Sequence, residues 1–189
     1  MTDFTMDLSG KLLIAMPGMG DPRFDKSVVF ICAHSEEGAM GLIINQPAPD
    51  LDFADLLEQL KIEVADPDLP TQIHIGGPVE HGRGFVLHSG EYDIADSTLR
   101  VDERFAMTAT LEILEDMARH RGPRDALLAL GYSGWAPGQL ESEIAQNGWL
   151  TCDASREIVF SRDNAQKWEL ALATLGVDPL TLSASAGRA

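Results

Sequence analysis

Two nearly unbroken apolar runs, SVVFICAH over 27–34 and MGLIIN over 40–45, stand either side of the polar stretch SEEGA. Apolar positions without alternation predict strands covered on both faces, and the break containing Gly38 predicts a hairpin between them. An earlier run, KLLIAM over 11–16, reads as a short buried strand that stops at Pro17. The PGMGDPRFD segment that follows reads as a turn-rich loop long enough to be functional. After Asn45-Gln46-Pro47 the period changes. Phe53, Leu56, Leu57 and Leu60 fall at i, i+3, i+4 and i+7, which predicts a helix with Asp52 as N-cap and Leu51 stapled to Leu56.

The acidic, proline-punctuated 64–70 segment reads as a loop. Short strands are expected at 72–75, 84–88 and 98–101, joined by GGPVEHGR and SGEYDIADS. A helix capped by Thr108 or Thr110 should run to about Arg121, bury Leu111, Leu114 and Ala118, and end at Gly122-Pro123. Leu127 to Leu130 predict a buried strand that breaks at the glycines of GYSGW, turns at Pro137-Gly138 and enters a short helix carrying Leu140 and Ile144. Such an elbow exposes backbone amides at a strand's carboxyl end, where open α/β sheets hold ligands. Further strands are expected at 149–152 and 158–160. A last helix should start near Asp163, with Gln166 as capping-box partner, and bury Trp168, Leu172 and Leu175. No repeat or linker interrupts the chain, so one compact domain spans 1–189, with 1–7 and 177–189 expected to be flexible or to lie along the surface.

At 189 residues, 44% hydrophobic and 23% charged, the chain has the composition of a globular domain that buries roughly 70% of its extended surface. It has no apolar run near the roughly 18 residues that a membrane span needs and no basic leader with an apolar core, so a cytoplasmic protein without membrane attachment is expected. Cys32 and Cys152 sit far apart in apolar runs and read as reduced core thiols. Fourteen basic residues against thirty acidic ones give a net charge of −16, which argues against direct nucleic-acid binding. Arg119, His120, Arg121 and Arg124 form the one basic cluster, flanked by Glu115, Asp116 and Asp125, and read as charges complementing a helix terminus.

Ser133 in GYSGW resembles a nucleophile elbow, yet Trp135 occupies the position that needs a small residue and no His follows the serine, so a structural elbow is expected. His34, His74, His81, His88 and His120 show no ligand spacing, and neither metal nor cofactor is expected. GGPVEHGRG lacks a dinucleotide fingerprint and leads into a strand rather than a helix. Arg23, Arg83 and His81 offer contacts to a small anion or partners for carboxylates, and Gln139, Glu141 and Glu143 suit the first turn of a helix. No catalytic residue is assigned. The candidate ligand-binding set is Asp21, Arg23, His34, Asn45, Gly76, Gly77, Arg83, His88, Ser133, Trp135, Gln139 and Glu141.

Taken together, GKLLIAMPGMGDPRFDKSVVFICAHSEEGAMGLIINQP, GGPVEHGRGFVLHS and GYSGWAPGQLESEIAQNGWL resemble the YqgE/AlgH family of bacterial proteins over essentially the whole chain. The resemblance implies an α+β domain with a large mixed β-sheet flanked by helices. It implies no activity, since the family is similar to uncharacterised proteins and to transcriptional regulators of exopolysaccharide production. Members frequently carry Ala at the position of Ser133. The expected role is a non-catalytic protein that binds a small molecule or a protein partner and influences expression indirectly. The alternatives are a hydrolase or transferase working around Asp21, Arg23, Arg83 and the Gln139 helix with Glu141 as acid/base, and a direct DNA-binding regulator.

Overall fold

The computed structural model describes residues 7–17, 26–49, 51–63 and 72–177. Asp21, Arg23, the whole acidic 64–70 loop and the tail beyond Val177 lie outside the described residues. Nine strands among the described residues make one sheet: β1 (Lys11–Ala15), β2 (Val28–Ser35), β3 (Gly38–Ile43), β4 (Ile73–Ile75), β5 (Val79–Ser89), β6 (Thr98–Arg100), β7 (Phe105–Thr108), β8 (Ala126–Trp135) and β9 (Trp149–Asp153). Their order is β6-β7-β5-β8-β3-β2-β1-β9, antiparallel at every step, and β4 pairs off this path with β8 in parallel.

β8 joins the two halves. It pairs with β5 over most of its length, with β4 at Leu128 to Leu130, and with β3 at Ser133 to Trp135. β3 and β8 part beyond that contact, and β4 fills the fork: the Gly76 N–H donates to the Leu130 carbonyl at 2.7 Å while the Gly76 carbonyl accepts from the Ile43 N–H at 2.8 Å. A Cβ on Gly76 would lie 2.3 Å from the Gly131 carbonyl oxygen, so no larger residue fits there. Gly131 has φ +75° and sits where the β5–β8 register shifts between Val79 and Gly84. The strand therefore bends at its glycines without breaking, contrary to the sequence expectation, and runs on to Trp135; the turn at 136–138 then leads into α3 (Gln139–Ala145).

The sheet curls into a half-barrel. Its inner face carries Leu12, Ile14, Phe30, Leu42, Phe85, Leu87 and Leu127, packed against Ile158 of α4 (Arg156–Val159) and Trp168 and Leu172 of α5 (Lys167–Thr174). One outer face is covered by α1 (Phe53–Gln59) and α2 (Leu111–Ala118), whose Phe53, Leu57, Ile113, Leu114 and Met117 meet Ile73, Val86 and Leu128. The other is covered by α3, whose Leu140 meets Leu13, Val29, Ile31 and Ile43. Coverage on both sides is why β2 reads as one apolar run. The half-barrel closes through side chains rather than paired strands: Arg104 Nη1 donates to the Ala154 carbonyl at 2.8 Å, and Gly10 lies against the Asp102 carboxylate.

Several local expectations hold and several need correction. Asp52 caps α1, its Oδ1 accepting the Asp55 N–H at 2.8 Å, and Cys32 and Cys152 are buried, unpaired thiols, with burial pushing Cys32 up to about 12. The 158–160 segment is helical, because Ser155 caps α4 and accepts the Ile158 N–H at 3.3 Å. α5 follows a single 3-10 turn at Asn164–Gln166 with no side-chain cap at Asp163, and Ala171 is buried where Leu175 was expected. α2 ends at Ala118, so Arg119 to Arg121 lie beyond its last turn, and Leu111 is 53% exposed while Ile113 and Met117 take the buried face. β7 was not foreseen at all.

Candidate functional site

The half-barrel is stoppered at one end. α5 closes the end where β1 finishes and β8 begins: Trp168 Nε1 donates to the Ala15 carbonyl at 2.9 Å, and Lys167 Nζ donates to the carbonyls of Ile44 at 2.6 Å and Val159 at 3.0 Å. At the opposite end of β8 two adjoining clefts open. One, of about 620 Å³, is lined by Val79, Arg83, Phe85, Met107, Tyr132 and Gly134. The other, of about 450 Å³, is lined by Ser9, His34, Ser35, Glu37, Arg100 and Val101, and Ala39, Met40 and Trp135 border both.

Strand periodicity and one bend decide what faces this mouth. Counting in twos from Leu42 and Leu87, which point inward, brings Met40, Phe85 and Arg83 to the same face. On β8 the inward set Leu127 and Ala129 would continue to Gly131 and Ser133. The left-handed Gly131, which alone faces the four β5 residues 80–83 across the register shift, reverses the alternation, so Tyr132 and Gly134 turn inward while Trp135 joins the outer cluster under α3. Phe85 and Tyr132 meet edge to face with centroids 5.8 Å apart, and the Arg83 guanidinium lies 5.1 Å over the Phe85 ring while pairing with Glu80 at 3.6 Å. The floor is thus aromatic and thioether, adaptable to shape, with one cation held at its rim.

His34 borders the second cleft and is locked. The Leu8 N–H donates to Nδ1 at 3.0 Å, so the proton sits on Nε2, which donates to Glu141 Oε1 at 2.6 Å. With both nitrogens engaged, this imidazole positions Glu141 and offers no base to a ligand. Two residues on, Glu143 Oε1 accepts from both indoles, Trp135 Nε1 at 3.0 Å and Trp149 Nε1 at 2.9 Å, and Oε2 accepts from Gln139 Nε2 at 2.8 Å. Gln139 Oε1 accepts the Ala136 N–H at 2.9 Å. α3 therefore ties the end of β8 to the start of β9, which fixes the rim. Sequence reasoning treated Glu143 as a plain first-turn residue; the signal available was its spacing, eight residues after one tryptophan and six before another.

The remaining candidates are placed elsewhere. Asn45 accepts the Val28 N–H at 3.0 Å and donates to the Lys26 carbonyl at 2.9 Å, which fixes the entry to β2. Ser133 is buried within β8 and donates to the Gly76 carbonyl at 3.2 Å; it stands in a continuing strand, not on an elbow. His88 is fully buried, its Nδ1–H donating to the Ser89 carbonyl and its Nε2 accepting from the Thr108 hydroxyl, each at 2.8 Å, and burial holds its pKa below the ordinary value. Gly76 and Gly77 are packed against the backbone of residues 131–133. The structure thus brings His34, Arg83 and Trp135 to the mouth with Gln139 and Glu141 supporting it, and leaves Asn45, Gly76, Gly77, His88 and Ser133 in the framework. Among the described residues no group of three or more His, Cys, Asp or Glu side chains could hold a metal ion, and no helix is long and apolar enough to cross a membrane.

A family model described as AlgH-like matches residues 12–180. A UPF0301 protein of Ruegeria pomeroyi is 60% identical over 185 residues, covering 97% of this chain and 100% of the relative. One from Cereibacter sphaeroides is 58% identical over 184 residues with the same coverage. The solution structure of the AlgH protein from Pseudomonas aeruginosa superposes with a TM-score of 0.79 at 41% identity, covering 97% of both chains. A Corynebacterium diphtheriae protein superposes at 0.72 with 22% identity over 92% of this chain and 90% of its own, a likeness of fold.

Proposed function

The chain belongs to the AlgH-like family of UPF0301 proteins, and from the open mouth of its half-barrel we infer that it is a non-catalytic binding protein for a small, largely apolar molecule. The observation that carries this reading is the inward floor of Met40, Phe85, Met107 and Tyr132 beneath the larger cleft, with Arg83 held over Phe85. Mouths of β-barrels are common ligand sites, and a few fixed polar groups around an apolar floor supply orientation. An enzyme would need an available base beside a nucleophile. Here His34 has both nitrogens occupied and Ser133 is buried on a carbonyl. Any influence on gene expression would run through the ligand or a protein partner.

Gly134 provides the test, because a Cβ there meets only the edge of the Tyr132 ring at 3.4 Å and so projects into the cleft. A thermal-shift screen of small molecules should yield compounds that stabilise the protein by mass action, about 2.7 kcal/mol at a hundredfold excess over Kd. Gly134→Phe should fold normally and abolish those shifts. Shifts that persist in a folded Gly134→Phe protein would place binding elsewhere and sink the proposal.

A further inference from the structure

A third concavity, of about 330 Å³, lies at the other end of β8, roughly 30 Å along the strand from the mouth. Four separate parts of the chain build it: Gln72 and His74 at β4, Met117 and His120 around the end of α2, the Gly122–Leu127 lead into β8, and Phe160 to Arg162 after α4. The charges around it depart from the rest of the molecule. Arg83, Arg100, Arg104 and Arg156 each have a carboxylate within 4.0 Å. Among the described residues, Arg119, Arg121, Arg124 and Arg162 have none, in a chain with thirty acidic residues to fourteen basic ones. Two of these, Arg124 and Arg162, line the pocket, with Arg119 and Arg121 flanking its His120.

The carboxylates nearby are already engaged. Asp125 is held by Arg156 through two guanidinium nitrogens, and Glu91 accepts the Arg124 backbone N–H at 3.0 Å; the Arg124 guanidinium feels the Glu91 charge but makes no hydrogen bond among the described residues. The wall also holds neutral polar groups. His74, 3% exposed, sits between the Leu128 carbonyl and Asn164, each at 3.2 Å, and Asn164 reaches Gln72 at 3.3 Å. Met117, Leu127 and Phe160 supply an apolar side.

Guanidinium groups bind oxyanions through paired N–H donors, and two of them on one pocket present more donors than the two oxygens of a carboxylate use. We propose that this pocket binds a small phosphate monoester, with Arg124 and Arg162 on the phosphoryl oxygens and Met117, Leu127 and Phe160 against its organic part. The site is separate from the mouth and does not depend on the function assigned there.

The test titrates intact protein by calorimetry with phenyl phosphate, with benzoate as the carboxylate comparison and chloride at matched ionic strength as the blank. Phenyl phosphate should bind in excess of the blank and more tightly than benzoate. R124Q/R162Q should weaken binding by at least about tenfold, while R83Q at the mouth leaves it unchanged. Both replaced side chains are exposed, so an unchanged melting temperature certifies the fold of the double variant. Binding no stronger than the blank, benzoate binding as tightly as phenyl phosphate, or affinity that survives R124Q/R162Q would each overturn the proposal.

Discussion

Two charged side chains sit at opposite ends of the half-barrel and are held by different means. Glu143, half-buried at the open end, is gripped by side chains: two indole N–H groups and the Gln139 amide. Lys167, fully buried at the stoppered end, donates to two main-chain carbonyls and has no carboxylate against it among the described residues. The first arrangement borders solvent, so its members can exchange a lost partner for water. The second cannot, and the desolvated ammonium pays through its proton affinity, pushed down to about 7 from 10.5. The rim of the mouth is therefore adjustable and the stopper is not.

The sharpest test of that contrast is Lys167→Ala, which removes packing and leaves two buried carbonyls without donors. It should destabilise the fold by about 3–5 kcal/mol in urea unfolding. Lys167→Met, which refills the volume, should lose less. Glu143→Ala strands two indole N–H groups near solvent and should cost about 2 kcal/mol, with Glu143→Gln milder because one acceptor oxygen remains. Equal losses for the two alanine variants would erase the distinction between the ends.

The pH dependence probes the stopper directly. Because the unfolded chain holds the Lys167 proton up to about 10.5 and the folded one releases it near 7, stability should rise with pH between those values. Lys167→Met should flatten that rise in a melting-temperature profile. His74, lowered to about 4 by burial and by the Lys167 charge, acts in a lower window: stability should fall as pH drops from about 6.5 to about 4. The smallest effect is expected at Ser133→Ala. The Gly76 carbonyl keeps its bond from the Ile43 N–H, so unfolding measurements should show a loss under about 1 kcal/mol and unaltered ligand binding.

What the sequence disclosed depended on how far each signal reaches. β2 and β3 were legible because continuous apolar runs survive any context, and α1 because period and cap agree. β7 was hidden behind VDER, a string that reads as loop, although Asp102 Oδ1 accepts the N–H groups of both Arg104 and Phe105 and makes it a tight turn between paired strands. Ile158-Val159-Phe160 has strand composition, and only the Ser155 cap reveals the helix. The mouth was legible in part: Arg83, Trp135 and His34 were singled out, but the parity shift at Gly131 that turns Tyr132 inward instead of Ser133 depends on pairing with β5. Lys167 was invisible as a structural residue, since its carbonyl partner Ile44 lies 123 positions away.

The position of β8 also sets the order in which the chain can assemble. β2–β3 and β6–β7 are hairpins closed within short stretches, but β3, β4 and β5 all take β8 as a neighbour, and β8 is made after all three. β1 then receives β9 across more than a hundred intervening positions. A nascent chain thus leaves the ribosome as two unjoined fragments of sheet, with the edges that await β8 unpaired until Trp135 has emerged. During that interval those edges are open to pairing with other chains. Synthesis of this protein consequently carries its greatest aggregation hazard between the emergence of β5 and that of β8, and a chain arrested at Arg124 should show no cooperative melting.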